Sequence, residues 1–323
     1  MDAIIAKPRG FCAGVERAIR VVELALERYG TPIYVRKEIV HNSHVVRRLR
    51  VAGAVFVDEL DEVPPGAVTI LSAHGSPPEV YEQAGTRRLR LIDATCPLVR
   101  KVHNEVRRYA RAGCTIVLIG HAGHDEVAGT MGQAPDRTVL IEDLEDVGRL
   151  EIGPEQLGII LTQTTLSQDD TREIVEALRR RFPQLELPPS ADICYATQNR
   201  QNAIRQISEQ IDLLLVVGSP SSSNSLRLTE VAKSRGVRAH LIDGPEDVDR
   251  GWFAGVSTVG VSSGASAPEE VVQAVLARLR SLGVSEMREV DAPDEGVAFK
   301  LPSLTPRIPP PPRSSSDSAD SLQ

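Results

Sequence analysis

The sequence is short of aromatic residues, of cysteine, of net positive charge and of long apolar runs. Phe, Trp and Tyr make up 3% of 323 residues, and the net charge is -7 with an isoelectric point near 5.6. These values remove both the stacking platforms and the electrostatic attraction on which nucleic-acid binding rests. No stretch approaches the roughly 20 apolar residues that span a bilayer, and Met1 to Arg9 lacks the apolar core of a secretion signal. The expectation is a cytoplasmic protein without nucleic-acid or membrane partners. Four cysteines in so long a chain cannot make a disulfide scaffold; in a reducing compartment they are metal ligands, catalytic groups or core filler.

What is present is a chain with 41% hydrophobic residues, enough for two or three cores at about 100–200 residues per domain. Predicted strands alternate with amphipathic helices, which argues for α/β architecture with mainly parallel sheets. Three cysteines stand at comparable places. A strand from Ala3 to Lys7 leads through Pro8-Arg-Gly-Phe to Cys12 at the head of a helix. Leu91-Ile-Asp-Ala-Thr-Cys-Pro97 puts Cys96 at the head of a second, and Ala191-Asp-Ile-Cys-Tyr195 puts Cys194 at the head of a third. A helix N-terminus carries about half a positive charge and unpaired N–H groups, so it favours a thiolate. Cys114 opens the apolar run Thr115 to Ile119 and reads as a core residue.

The helices carry apolar stripes at helical spacing: Val15, Ala18, Ile19, Val22, Leu26 and Tyr29; Val99, Val102, Val106 and Tyr109; Ile204, Ile207 and Ile211. Each leads to a strand, Pro32 to Arg36, Thr115 to Ile119 and Leu213 to Val217. Each strand ends in a polar loop, holding His41, His121 to Glu126, and Ser219 to Asn224 respectively. A second polar loop follows in each case: Ser72-Ala-His-Gly75, Thr162-Gln-Thr-Thr165 and Ser262-Ser-Gly-Ala-Ser266. The order cysteine, helix, strand, polar loop, strand, polar loop occurs three times and predicts three similar α/β units. Their boundaries fall at 1–96, 97–193 and 194–300, with the N-terminal strand able to join the third unit. Because open α/β sheets bind ligands beyond the carboxyl ends of their strands, units meeting around a pseudo-threefold axis would bring all the polar loops to one centre. The alternative is three unrelated units with ordinary polar loops. Residues 301–323, rich in proline and serine, read as a disordered tail.

Three thiolates without a fourth suit an iron-sulfur cluster open at one corner. Zinc is the main rival, although its ligands usually come in closely spaced pairs. Pro8-Arg-Gly-Phe-Cys-Ala-Gly-Val15, Asp93-Ala-Thr-Cys-Pro-Leu-Val99, Gly120-His-Ala-Gly-His-Asp-Glu-Val127, Gly129-Thr-Met-Gly-Gln133, Thr162-Gln-Thr-Thr-Leu-Ser167, Asp192-Ile-Cys-Tyr-Ala-Thr197 and Ser222-Ser-Asn-Ser225 resemble, in order, the motifs of the 4-hydroxy-3-methylbut-2-enyl diphosphate reductase family. The resemblance runs from about Ile4 to Val290.

It implies an oxidoreductase for the last step of the non-mevalonate isoprenoid pathway, with one 4Fe-4S cluster in the middle of three α/β units. By the same resemblance Cys12, Cys96 and Cys194 hold three irons, and Glu126 delivers a proton, helped by Thr164. His41, His74, His124, Ser222, Ser223, Asn224 and Ser266 bind the diphosphate, with protonated histidines adding positive charge. Asp125 stands where the family commonly has proline, which would loosen the loop and raise the pKa of Glu126. The implied partners are an allylic diphosphate and a ferredoxin or flavodoxin, docked at Arg47-Arg48-Leu-Arg50, Arg87-Arg88-Leu-Arg90 or Arg107-Arg108, on a monomer or weak homodimer. His44, His103 and His240 read as surface residues, and His121 as a residue that orients the loop of His124. A zinc hydrolase and a non-catalytic iron-sulfur redox sensor remain the alternatives.

Overall fold

The computed structural model describes residues 1–153, 157–290 and 295–310. The chain opens with β1 (Asp2–Ile5) and then makes three passes of similar order. The first runs α1 (Ala13–Tyr29), β2 (Ile33–Arg36), α2 (Ser43–Val51), β3 (Ala54–Val57), β4 (Val68–Leu71), α3 (Pro78–Thr86) and β5 (Arg90–Asp93). The second runs α4 (Pro97–Arg111), β6 (Thr115–Ile119), α5 (Asp125–Met131), β7 (Thr138–Ile141), α6 (Leu144–Arg149), β8 (Gly158–Thr162), α7 (Gln168–Arg181) and β9 (Leu185–Glu186). The third runs α8 (Tyr195–Ile207), β10 (Leu213–Val217), α9 (Ser223–Lys233), β11 (Arg238–Ile242), β12 (Thr258–Ser263) and α10 (Glu269–Ser281), before β13 (Met287–Glu289).

Each pass builds a sheet with the same strand order, β3-β2-β4-β5, β7-β6-β8-β9 and β11-β10-β12-β1-β13, and every pairing between these strands is parallel. The fully buried central strands β6 and β10 are unbroken apolar runs because helices cover both faces. The third sheet takes its fourth strand from the start of the chain: β1 lies against β12, with Ala3 beside Val259 and Ile5 beside Val261. Each cysteine therefore follows the fourth strand of a sheet. Cys96 follows β5, Cys194 follows β9, and Cys12 follows β1.

The expected apolar stripes form the cores. Ala18, Ile19 and Val22 of α1 are buried with Ile33, Val35 and Ile70; Val102 and Val106 of α4 with Ile116 and Leu118; Ile204 and Ile207 of α8 with Leu214 and Val216. Cys114 is buried at the N-terminal end of β6, opposite the polar loops.

The expectation of a disordered tail from residue 301 is corrected over its first ten residues. Leu91 and Arg307 exchange both backbone hydrogen bonds (2.8 and 3.0 Å), and the Tyr29 hydroxyl donates to the Leu304 carbonyl at 2.7 Å. A Cβ at Gly85 would come within 2.6 Å of the Pro310 carbonyl. The prolines pack as an extended strap, a conformation they hold at low entropic cost. The remaining tail residues, 311–323, lie outside the described residues.

Candidate active site

The three cysteines are N-cap residues of α1, α4 and α8. In each case the cysteine N–H is tied to the polar loop of the neighbouring strand: Cys12 to the Ala265 carbonyl (3.0 Å), Cys96 to Ala73 (2.9 Å) and Cys194 to Thr164 (3.0 Å). The three hydrogen bonds are equivalent under the threefold repeat, and they turn all three thiols into one cavity of about 120 Å³. All twelve residues singled out in the sequence line it.

Gly14 shows how tightly the sulfurs are gathered. A Cβ there would lie 2.8 Å from Cys96 Sγ and 3.8 Å from Cys12 Sγ. Cys194 Sγ lies 3.1 Å from Thr197 Oγ1 and accepts from the Thr197 N–H at 3.4 Å. The expected depression of thiol pKa is overturned at Cys96 and Cys194. Burial pushes Cys96 up to about 11 and Cys194 up to about 12, against the backbone N–H groups of Leu98, Val99 and Thr197 that favour the thiolate. Proximity adds to the effect, since each thiolate disfavours its neighbours. Such thiols need a bound cation to ionise together, and a metal centre supplies one.

Three imidazoles form another wall. His41 and His74 stack with ring centroids 3.9 Å apart and planes 15° from parallel, while His124 meets His41 edge-on at 5.5 Å. His124 Nδ1 accepts the Glu126 N–H (3.1 Å), so Nε2 carries the ring hydrogen. Burial, with the neighbouring rings adding to it, holds His124 down to about 4 and His74 well below its ordinary value. The expectation of charged histidines is therefore corrected for these two: they are neutral N–H donors at neutral pH. His41, His74 and Asp125 also bring one ligand atom each within 4.8 Å of one another, but the stacked rings of His41 and His74 suit side-by-side donation better than convergence on one ion.

Glu126, in the first turn of α5, is 4% exposed. Its Oε1 accepts the Thr164 N–H at 2.6 Å and its Oε2 the Thr164 hydroxyl at 2.9 Å. Burial pushes its pKa up to about 7 despite these two bonds, with the carboxylate of Asp192 adding to the rise. Asp192 is held in place by the Thr162 N–H, which its Oδ2 accepts at 3.0 Å.

The third wall is the N-terminus of α9. Ser222 caps it by accepting the Ser225 N–H, and Ser266 Oγ donates to the His41 carbonyl (3.0 Å). Asn224 is 5% exposed, yet both its amide atoms lack a hydrogen-bond partner among the described residues. A buried amide left unpaired on a cavity wall is costly unless a ligand completes it. Gln163 and Thr165 were passed over in the sequence, although they stand in the motif that holds Thr164. They bridge the second and third units, with the Thr165 hydroxyl donating to Ser223 Oγ (3.0 Å) and Gln163 Nε2 to Thr165 Oγ1 (2.9 Å).

The other histidines lie elsewhere. His103 is buried, not on the surface as expected; it packs under Gly75, where a Cβ would come within 2.6 Å of its Cε1. Burial holds its pKa down to about 4. His44 Nε2 lies 2.8 Å from the Asp243 carbonyl oxygen, His240 stacks on Trp252, and the ring of His121 faces Arg227 outside the cavity.

The sequence model described as LytB protein matches residues 3–280. The chain belongs to the LytB family. Relatives of the chain include a protein of Mycolicibacterium paratuberculosis named 4-hydroxy-3-methylbut-2-enyl diphosphate reductase, 55% identical over 93% of this chain and 90% of that protein. Another, of Burkholderia mallei, carries the same name with the number 2 and is 54% identical over 93% of this chain and 92% of that protein. The fold matches a structure of E-1-hydroxy-2-methyl-but-2-enyl-4-diphosphate reductase from Plasmodium falciparum with a TM-score of 0.91 and 41% identity, covering 93% of this chain and 95% of that one. A structure of (E)-4-hydroxy-3-methyl-but-2-enyl diphosphate reductase, described as the terminal enzyme of the non-mevalonate pathway, matches with a TM-score of 0.62 and 32% identity, over 87% of this chain and all of that one. Among the described residues, no helix is long and apolar enough to cross a membrane.

Proposed function

We propose that this chain removes the 4-hydroxyl of (E)-4-hydroxy-3-methylbut-2-enyl diphosphate, taking up two electrons and two protons to give isopentenyl or dimethylallyl diphosphate and water. The observation that carries this reading is the convergence of three thiols, a buried carboxyl with pKa near 7 and an array of neutral hydrogen-bond donors on one cavity.

Cys12, Cys96 and Cys194 would hold a 4Fe-4S cluster, which when bound supplies single electrons and a Lewis-acidic iron. With Cys114 at the far end of β6, no cysteine is placed to close a fourth corner. Around that centre the protein binds, orients and protonates. His124 donates from Nε2, the Ser222, Ser223 and Asn224 group presents hydroxyls, an amide and the N-terminus of α9, and His41 and His74 add a stacked pair of rings. Together these suit the many oxygens of a diphosphate, with no lysine or arginine on the wall among the described residues.

Hydroxide leaves poorly, so the alcohol must leave as water. Glu126 is the proton source: with a pKa near 7 it is half protonated at neutral pH. When the proton sits on Oε2, the bond to Thr164 reverses. Oγ1 then accepts from Glu126 and its own hydrogen turns to the substrate oxygen. Val15, Val40, Leu98 and Val99 line the same cavity and keep the carboxyl dry.

The electrons come from a one-electron protein carrier such as a ferredoxin or flavodoxin. The decisive test is anaerobic purification with iron and sulfide analysis, followed by turnover of the hydroxylated allylic diphosphate with dithionite and a viologen. About four irons and four sulfides per chain with formation of the two C5 diphosphates is the expected result. A protein loaded with iron and sulfide that leaves this substrate untouched would overturn the reading.

A further inference from the structure

Three cations stand in the second turn of the three cysteine-headed helices, and each reaches out of its own helix to the turn that presents the next cysteine. On α1, Arg17 Nη1 donates to the carbonyls of Ala94 (3.0 Å) and Thr95 (3.2 Å), the two residues before Cys96. On α4, Lys101 Nζ donates to the carbonyls of Ser190 (2.8 Å) and Ala191 (3.2 Å) and to Asp192 Oδ1 (2.9 Å), all within the turn that leads to Cys194. On α8, Arg200 Nη2 donates to the carbonyl of Gly10 (2.9 Å), two residues before Cys12. The series runs from Cys12 to Cys96 to Cys194 and returns to Cys12, so it closes on itself.

We propose that Arg17, Lys101 and Arg200 form a cyclic set of positioning residues, each fixing the turn of the next cysteine from the helix of the one before, so that three thiols from distant parts of the chain are held ready as one ligand set.

This rests on the reading of the cysteines as a single ligand set. It goes further in naming what assembles them, because none of the three clamps touches the cavity itself. Burial argues that the contacts are built and not incidental. Arg200 is 0% exposed and Arg17 is 7% exposed; a buried guanidinium is costly unless hydrogen bonds offset it, and both make such bonds, those of Arg200 through its two Nη atoms while its Nε has no partner among the described residues. Arg200 has the carboxylate of Glu295 as a partner at 3.0 Å. Arg17 donates only to carbonyls, including that of Lys300 at 2.9 Å, and has no ion pair among the described residues. A buried cation without an ion-pair partner, near enough to Cys96 to interact with its charge, also supplies positive charge where thiolates must gather. The neighbouring cations of the same helices do otherwise: Arg20 pairs with Glu23 and Glu27 on its own helix, and Arg108 lies over Tyr109.

The test uses the full-length chain, stripped of iron and kept reduced without oxygen, titrated with cadmium. Thiolate-to-cadmium absorption in the ultraviolet reads the number of sulfurs per ion and the affinity, independently of turnover. Lys101→Met is the central variant because Lys101 is the clamp nearest solvent; Arg17→Gln and Arg200→Gln extend the series where their melting curves show an intact fold. Wild type should bind one cadmium through three thiolates. Lys101→Met should weaken that site by about 10- to 100-fold, the usual loss when a group that orients metal ligands is removed. Lys101→Arg should restore it, and Arg108→Met should leave it unchanged. A Lys101→Met protein that keeps its fold and still binds with wild-type affinity through three thiolates overturns the clamps alone. A wild type that shows no three-thiolate site overturns the ligand set and the clamps together.

Discussion

Glu126 is the residue on which pH dependence should turn. Burial has raised its pKa above the usual carboxylate range to about 7, so the proton-donating form fills below that value and empties above it. The alkaline limb of kcat/KM, which reports the free enzyme, should fall with an apparent pKa near 7, and Glu126→Gln should remove the limb along with most of the activity. Because the Thr164 hydroxyl favours the ionised carboxylate, Thr164→Val should move the limb to higher pH while lowering kcat. A pH profile of Thr164→Val that coincides with wild type in position would contradict the pairing. His103 makes a separate contribution. Its folded pKa is depressed from 6.5 to about 4, so the unfolded chain takes up a proton in that window that the folded chain refuses. The resulting stability is complete above pH 6.5 and is lost as pH falls toward 4, amounting to on the order of 3 kcal/mol. Melting curves of His103→Leu between pH 7 and 4 should therefore show a shallower acid decline than wild type.

At the scale of single elements, α4 stands out by charge. Between Pro97 and Arg111 it carries five cations and one carboxylate in a chain of net charge -7, and it begins at Cys96. Arg108 and Arg111 are exposed on it. An acidic one-electron carrier would be steered to such a face. Arg108→Glu combined with Arg111→Glu should slow turnover driven by the protein carrier by about tenfold or more at low salt, while leaving dithionite-driven turnover intact; equal loss in both assays would reject the face. Elements of this kind were legible in the sequence where one signal dominated. Thr115–Ile119 and Leu213–Val217 are unbroken apolar runs and appear as strands over those residues. The site residues were legible because they stand in motifs that resemble those of a known family, in the polar loops that end such strands. Where signals competed, the reading failed. β9 has two residues and no pattern of its own. His103 sits among charged neighbours on α4 yet turns inward under Gly75. Residues 301–310 have the composition of a disordered tail, but their carbonyls meet donors on α1 and β5 that only the fold creates.

For the whole molecule, that last segment acts as a strap over the first sheet. It pairs with Leu91, accepts from Tyr29 and covers Gly85. Deleting residues 301–323 should lower the melting temperature by several degrees, as expected for the loss of about 1–3 kcal/mol of hydrogen bonding and packing, and should do so without changing the iron content. An unchanged melting point would show that the strap adds no net stability. Hydrogen bonds between passes include Gln163 and Thr165 toward Ser223, Ser266 toward His41, Ser43 toward Asp243 and Gln201 toward Leu166.

The place of β1 at the heart of the last sheet has a consequence for biogenesis. A ribosome delivers Asp2–Ile5 long before its partner Thr258–Ser263, so this strand must wait, without that partner, while the residues between them are made. Cys12 cannot reach its final position until then. Under the proposed reading of the three cysteines, iron loading waits for that pairing, and a polypeptide that stops before Thr258 holds at most two of the three thiols in place.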